Sequence, residues 1–385
     1  MSLPLSGVRV VEIGQVLAGP FASAILSDLG ADVVKIERPE VGDDSRMMGP
    51  AFRGGDAINF HVFNRGKRSV VLNLKARDGR EALRTMLLHT DILIHNLRPG
   101  TMKELGLDGE ALCREFPALI YCDITAFGSR GPRQHKPSYE GLIQAYSGLS
   151  SMNGGPDDPP MRMGASVCDL GTGMWAVIGA LAALQRRQTT GRGGVVNASL
   201  LETALVWAGQ RIDAINNEGR EPERHRSGTA SLVPYQAFDT SDGSIMICAG
   251  NNRLFAKLAK ELGHPEWALD ENFKDNRSRI INKDLLLPQI SGIIATNSRA
   301  YWTERLEAAE IPCSPINSLA EVLREPQVEA IKILQPVAGE DYTLIGLPLS
   351  FDGERPPIRR RAPGLGEHTD DIINRTLAPE RDLAQ

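Results

Sequence analysis

The chain has 385 residues, 42% of them hydrophobic and 24% charged, with a net charge of −5. That length suggests two or three domains at about 100–200 residues each, and the balance is that of an ordinary soluble globular enzyme. A mildly acidic chain with scattered basic pairs excludes a dedicated nucleic-acid or acidic-membrane surface, and "RRR" at 359–361 reads as a solvated tail.

"VRVVEI" at 8–13 reads as a buried strand, and "PFASAILSDLG" as a helix with Pro20 near its start and Gly30 past its end. "ADVVKIE", "RSVVLNL", "DILIHN" and "ALIYCDI" continue as strands, with "DGREALRTMLLHT" an amphipathic helix between two of them. This alternation predicts an α/β layer on a largely parallel, Rossmann-like sheet. Residues 171–187 read as an apolar helix, "TTGRGGVVNASL" as a turn and a strand, and 199–217 as a further helix.

The polar stretch "NNEGREPERHRSGTA" reads as a linker. Two short strands, "YQAFDT" and "SIMICAG", flank the turn signal Asp242-Gly243. Helical patterns fill 251–310. Strand-like, proline-rich sequence returns from about 320 and closes on the helical "TDDIINRTL". The expected organisation is a large α/β domain over 1–220, a small α+β domain over 225–320, and a return segment, 320–385, that completes the large domain.

Five well-separated cysteines, Cys113, Cys122, Cys168, Cys248 and Cys313, form no CxxC pair and read as reduced thiols of a cytoplasmic protein. The N-terminus lacks a basic segment followed by an apolar core, so no signal peptide is expected. The apolar run Met174–Leu184 is shorter than the roughly 18 residues of a membrane span. The seven histidines show no HxxxH-type spacing, and no metal is expected.

Within "SVCDLGTGMWAVIGALAAL" at 166–184, Asp169 is the one charged side chain. It could cap a buried helix, belong to a nucleotide-binding glycine turn, or do chemistry. The second reading is weak. "GTGMWA" has no clear strand before it and no acid ending a strand about 20 residues later. "VVEIGQVLAGPFAS" before "VVKIE" resembles the start of a dinucleotide fold, but Gly14 and Gly19 are not spaced as GxGxxG.

Several segments together resemble one family: "VLAGPFASAILSDLGADVVKIERPEVGDDSR", "NRGKRSVVLNLK", "NLRPGTMKELGL", "PSYEGLIQAYSGL", "DLGTGMWAVIGALAALQRRQTTGRGG" and "PGLGEHTDDII". In order, they look like the class III CoA-transferases, of formyl-CoA transferase and carnitine CoA-transferase type. The stretch "RHRSGTASLVPYQAFDTSDGSIMICAGNN" is most similar to the branch that moves CoA between succinyl-CoA and glutarate-like dicarboxylates.

The resemblance implies a covalent carboxylate nucleophile at Asp169, with Glu140 as a nearby acid and Gln15 as an amide donor in the turn 14–19. That turn is the expected source of oxyanion donors, and Gly171 and Gly173 are expected to let an acyl-CoA approach. Helix dipole and hydrogen bonding are expected to keep Asp169 ionised. The resemblance places Val16, Ala18, Arg38, Leu72, Lys75, Asn96, Arg98 and Tyr139 along the CoA path. Arg38 is assigned to the adenine and Lys75 to phosphate. Glu104 stands where formyl-CoA transferases carry a basic residue.

The resemblance further implies an interlocked homodimer, coenzyme A and its thioesters as substrates, and no tightly bound cofactor. If the acceptor is a dicarboxylate, a cation must hold its second carboxylate, and Arg46 and Arg162 are the candidates. Two rival functions share these features. An acyl-CoA racemase needs a pair of bases, and Tyr139 stands where racemases carry histidine; a phenol of pKa near 10 is a poor base. A non-catalytic CoA-binding protein would have no need of Asp169.

Overall fold

A computed structural model describes residues 3–219, 221 and 223–377. The described residues divide into two compact units, one within 3–150, 162–212 and 331–377, the other within 151–161, 213–219, 221 and 223–330. Residues 151–161 thus group with the second unit and not with their neighbours in the chain.

The first unit is built on six parallel strands: β1 (Arg9–Ile13), β2 (Asp32–Glu37), β3 (Arg68–Val71), β4 (Ile92–His95), β5 (Ile120–Thr125) and β6 (Gly194–Ser199). They lie in the order β3-β2-β1-β4-β5-β6. Val10 of β1 pairs with Val33 on one side and Ile92 on the other. The chain runs outward from β1 to β3 and then returns to β4 on the other side. Open parallel sheets bind ligands beyond the carboxyl ends of their strands at such a reversal.

Seven helices matter to the site: α1 (Ala18–Asp28), α2 (Ile58–Asn64), α3 (Arg77–Leu87), α4 (Gly109–Glu115), α5 (Glu140–Tyr146), α6 (Val167–Thr190) and α7 (Leu200–Glu218). On one face of the sheet, Val11, Ile36 and Leu93 pack with Leu83 of α3, Leu112 of α4 and Ile372 of the C-terminal helix Thr369–Leu377. α1 packs on α6 and against β1 and β2. Apart from Phe21 every residue of α1 is buried, as its alanine-rich sequence allows. α6 has the length and hydropathy of a membrane span, but it packs against β5, β6 and α1 as a core helix does.

Two sequence expectations need correction. α6 begins at Val167 and not at 171, because its N-terminus is capped from another helix and carries no local signal. "RRR" is not a solvated tail: Arg359 donates to the carbonyls of Ser27 and Ala31 at the end of α1, and Arg361 pairs with Glu340 and Glu367. Residues 366–369 cover the edge strand β3, where Thr369 Oγ1 accepts Val71 N–H at 3.0 Å and Ser69 O accepts His368 N–H at 2.9 Å.

The second unit carries an antiparallel sheet of β7 (Tyr235–Thr240), β8 (Gly243–Cys248) and β9 (Cys313–Pro315), with β8 in the centre. The Asp242-Gly243 hairpin forms as expected. β9 escaped the sequence reading because three residues carry too little periodicity. Helices 252–261, 283–294 and 299–308 cover this sheet around Phe238, Ile245, Phe255, Leu286 and Trp302.

Candidate active site

Asp169 is the third residue of α6, and Ser166, in the N-cap position, makes no side-chain capping bond. Glu140, the first residue of α5, caps the helix instead. Its Oε1 accepts Cys168 N–H at 3.1 Å, and its Oε2 accepts Asp169 N–H at 2.7 Å. One turn on, Gln144 donates to Glu140 Oε1 at 2.7 Å and accepts Met163 N–H at 2.8 Å. The backbone of Asp169 is therefore held by a buried chain of hydrogen bonds, while its carboxylate accepts none from the described residues.

The expectation that hydrogen bonding keeps this carboxylate ionised is reversed. Burial, with the charge of Glu140 adding, pushes its pKa up to about 7. A carboxylate without donors is less stabilised as an anion and more reactive toward an electrophile. The thiol of Cys168 beside it is pushed up to about 12 by burial and by Glu140, so it stays protonated and inert near neutral pH.

The two glycines behind Asp169 do not open space for a ligand. A Cβ on Gly173 would come 2.9 Å from the carbonyl oxygen of Ala18, and one on Gly171 would come 2.8 Å from Thr203 and Trp207 of α7. Their lack of side chains brings α6 against α1 and α7. Asp169 precedes Gly173 by four residues, on the same face of α6. Asp169 therefore stands about one helical turn, roughly 6 Å of rise, before the residue at which α6 meets the start of α1.

The turn 14–19, between β1 and α1, is tied down through the backbone of Gly14, Gln15 and Val16. Asn96, just past β4, grips Gln15 at both ends: Oδ1 accepts its N–H at 2.7 Å and Nδ2 donates to its carbonyl at 2.9 Å. Val16 is left-handed at φ +64°, a strained state for a β-branched residue, costing about 1–3 kcal/mol. Asp43 Oδ1 holds it there by accepting Val16 N–H at 3.0 Å.

Beneath the turn lies a buried ionic cluster. Lys35 bridges Glu12 at 2.7 Å and Asp43 at 2.8 Å and donates to Gly14 O at 3.0 Å. Lys67 donates to Glu12, Asn64 and Pro20 O. Burial would raise the pKa of Asp43, but Lys35 and the N–H donors outweigh it and hold the group at about 2. Burial pulls the Lys67 ammonium down to about 8 against the opposing charge of Glu12.

Three donors at this turn have no partner among the described residues: the N–H groups of Ala18 and Gly19, which open α1, and Nε2 of Gln15. Gln15 Oε1 accepts Asp44 N–H at 3.0 Å.

The expected CoA-path residues follow the carboxyl ends of four adjacent strands. Leu72 and Lys75 come after β3, Arg38 after β2, Val16 and Ala18 after β1, and Asn96 and Arg98 after β4. Their side chains are not equally free. Asn96 is spent on Gln15, and Leu72 packs against the core. Arg38 binds Gly42 O and Asp44. Lys75 and Arg98 project exposed, with no side-chain partner among the described residues. Tyr139, beside Glu140, is 69% exposed.

Arg46 is ruled out as the holder of a substrate carboxylate. It is buried, bonded to Glu37 through Nε at 2.9 Å and Nη2 at 2.7 Å, to Asp56 at 2.7 Å and to Pro363 O at 3.1 Å, and stacked on Phe60. Arg162 is exposed and has no ionic partner among the described residues. Its Cδ lies 3.5 Å from the Cβ position of Gly141, the neighbour of Glu140. Lys35, Asp43 and Asp44 were missed by the sequence reading. The one available signal was a pair of acids, Asp43-Asp44, in a loop following a strand that itself carries a buried lysine.

The family model described as CoA-transferase family III matches residues 5–369. The chain is 36% identical over 380 residues to a succinyl-CoA:glutarate CoA-transferase of Mus musculus, covering 97% of this chain and 86% of that one. It is 35% identical over 379 residues to an acetyl-CoA:oxalate CoA-transferase of Acetobacter aceti, covering 98% and 97%. A crystal structure of a CAIB/BAIF family protein from Brucella suis superposes with a TM-score of 0.89 at 34% identity, covering 98% of this chain and 100% of that one.

Proposed function

This chain belongs to CoA-transferase family III and is a class III CoA-transferase, and from that premise we propose that it moves CoA from a succinyl-CoA-like donor to a small dicarboxylate through Asp169. The observation that carries the proposal is the half-buried Asp169 carboxylate, which accepts no hydrogen bond from the described residues and whose helix meets the first turn of α1 at Gly173, one turn further on.

The Asp169 carboxylate attacks the donor's thioester carbonyl, and the tetrahedral oxyanion collapses to an aspartyl–acyl anhydride and CoA thiolate. The thiolate then attacks the aspartyl carbonyl and releases the donor acid, leaving Asp169 esterified to CoA as a thioester. The acceptor carboxylate attacks that thioester and again expels CoA thiolate. The thiolate takes the acceptor's acyl group and restores the Asp169 carboxylate. No proton is gained or lost. Each step passes through an oxyanion that Ala18 N–H, Gly19 N–H and Gln15 Nε2 are suited to stabilise. Glu140 fixes the backbone of the nucleophile.

The acceptor class is supported by the names of the relatives: glutarate and oxalate are both dicarboxylates, of different lengths. The second carboxylate needs a cation, and Arg162 is the one of the two candidates whose guanidinium is uncommitted. A homodimer is supported by the exposed apolar side chains of Met174, Trp175 and Ile178 along α6.

The test is to incubate the protein with succinyl-CoA alone and digest it. A peptide containing Asp169 that carries CoA, and that is absent when Asp169→Asn is treated alike, supports the mechanism. Turnover without any Asp169 adduct and with an active Asp169→Asn rejects it.

A further inference from the structure

We propose that Asp44 is a positioning residue for the transfer reaction, its backbone N–H setting which way the side-chain amide of Gln15 faces. The inference rests on the transferase reading above and adds to it the part that aims one of its donors.

An amide side chain can present either its oxygen or its NH2 group to a ligand. Asp44 N–H is a donor, so the atom of Gln15 that meets it, at 3.0 Å, must be Oε1. Nε2 is then turned away, with no acceptor among the described residues. Flipped, Gln15 would set NH2 against N–H and present an acceptor oxygen to a developing oxyanion, the wrong sign for stabilising it.

Asp44 itself is held rigidly. It opens a short 3₁₀ turn, Asp44–Met47, whose N-cap is Asp43. Asp43 is fixed through its N–H to Glu37 Oε2 at 2.9 Å, through Oδ1 to Ser45 and Val16, and through Oδ2 to Lys35. The same buried carboxylate thus sets the backbone of Val16 and the turn that aims the neighbouring amide.

The position allows the N–H alone to be deleted. Proline is tolerated at the first residue of a helical turn, and Asp43, at φ −74° and ψ 133°, already has the extended backbone required before proline. Asp44→Pro removes the N–H, and Asp44→Ala keeps it. Both lose the exposed contact with Arg38, so their ratio isolates the N–H.

The experiment measures exchange of labelled succinate into succinyl-CoA for wild type, Asp44→Ala, Asp44→Pro, and the same two substitutions in a Gln15→Ala background. The expected kcat of Asp44→Pro is at least tenfold below that of Asp44→Ala, with KM for succinyl-CoA equal within twofold. In the Gln15→Ala background the ratio falls to about one, because no amide is left to orient. A purely structural role would keep the tenfold ratio there, and that result overturns the proposal. So does a kcat ratio within twofold when Gln15 is present. Absence of exchange by wild type instead removes the transferase reading and the positioning role with it.

Discussion

Glu140 Oε2 accepts the N–H of Asp169 at 2.7 Å, so an acid of one helix caps the helix on which a second acid stands. The bond fixes the backbone of Asp169 while the charge of Glu140 raises the pKa of its carboxylate. One residue thus fixes the backbone under this carboxylate and adds to the upward push that burial gives its pKa.

That coupling makes the pH profile diagnostic. With Asp169 at about 7, kcat/KM is expected to rise with pH to a plateau, with an apparent pKa near neutrality. Glu140→Gln removes the like charge, so the rising limb should move to lower pH. It also weakens the cap and should lower stability by about 1 kcal/mol. A profile unchanged in Glu140→Gln would show that burial alone sets the ionisation.

Asp169→Asn should abolish transfer and also stabilise the protein above neutral pH. The folded pKa, about 7, lies above the ordinary 3.8. The folded chain therefore holds a proton that the unfolded chain has released as pH rises between those values, and stability falls across that window. The penalty is complete above about pH 7 and absent below about pH 4. At about 1.4 kcal/mol per pKa unit its upper bound is about 4 kcal/mol. Denaturation curves at pH 8 and pH 4 should show the Asn variant ahead at pH 8 and level at pH 4. An equal gap at both would disprove the coupling.

The two arginines should separate cleanly. Arg46→Met leaves Glu37 buried and short of its partner, and a loss of about 3–5 kcal/mol is expected with no preference among acceptors. Arg162→Met should leave the melting temperature within a degree while raising KM for dicarboxylate acceptors at least tenfold more than for monocarboxylates of equal length. Equal KM changes for both acceptor types would remove Arg162 from the acceptor site.

Gly173→Ala and Gly171→Ala gain the same helix propensity, about 1 kcal/mol, but meet different obstacles. The first presses on the Ala18 backbone carbonyl and the second on the side chains of Thr203 and Trp207. Gly173→Ala should therefore cost about 1–3 kcal/mol net and lower kcat, because α1 carries the unpaired donors. Gly171→Ala should cost less and leave kcat nearer wild type. Melting curves with kcat for both variants test the order, and a larger kcat loss in Gly171→Ala would refute it.

The layer architecture was legible in one dimension. Nearly continuous apolar runs such as "VRVVEI" and "DILIHN" suit strands buried on both faces, and alternation with helices requires a parallel sheet. The sequence also singled out Asp169, because a lone charge stands out in an apolar helix. Whether that charge capped its own helix was not legible, because the actual cap, Glu140, lies 29 residues away. Nor was the fate of the arginines, since Arg46 and Arg162 are alike as letters and differ only in the carboxylates that folding brings to them. The ionic cluster beneath the 14–19 turn is tertiary for the same reason. Glu12, Lys35 and Lys67 are ordinary surface letters until adjacent strands and a loop exclude water from them, and only partners from several segments offset the desolvation of each.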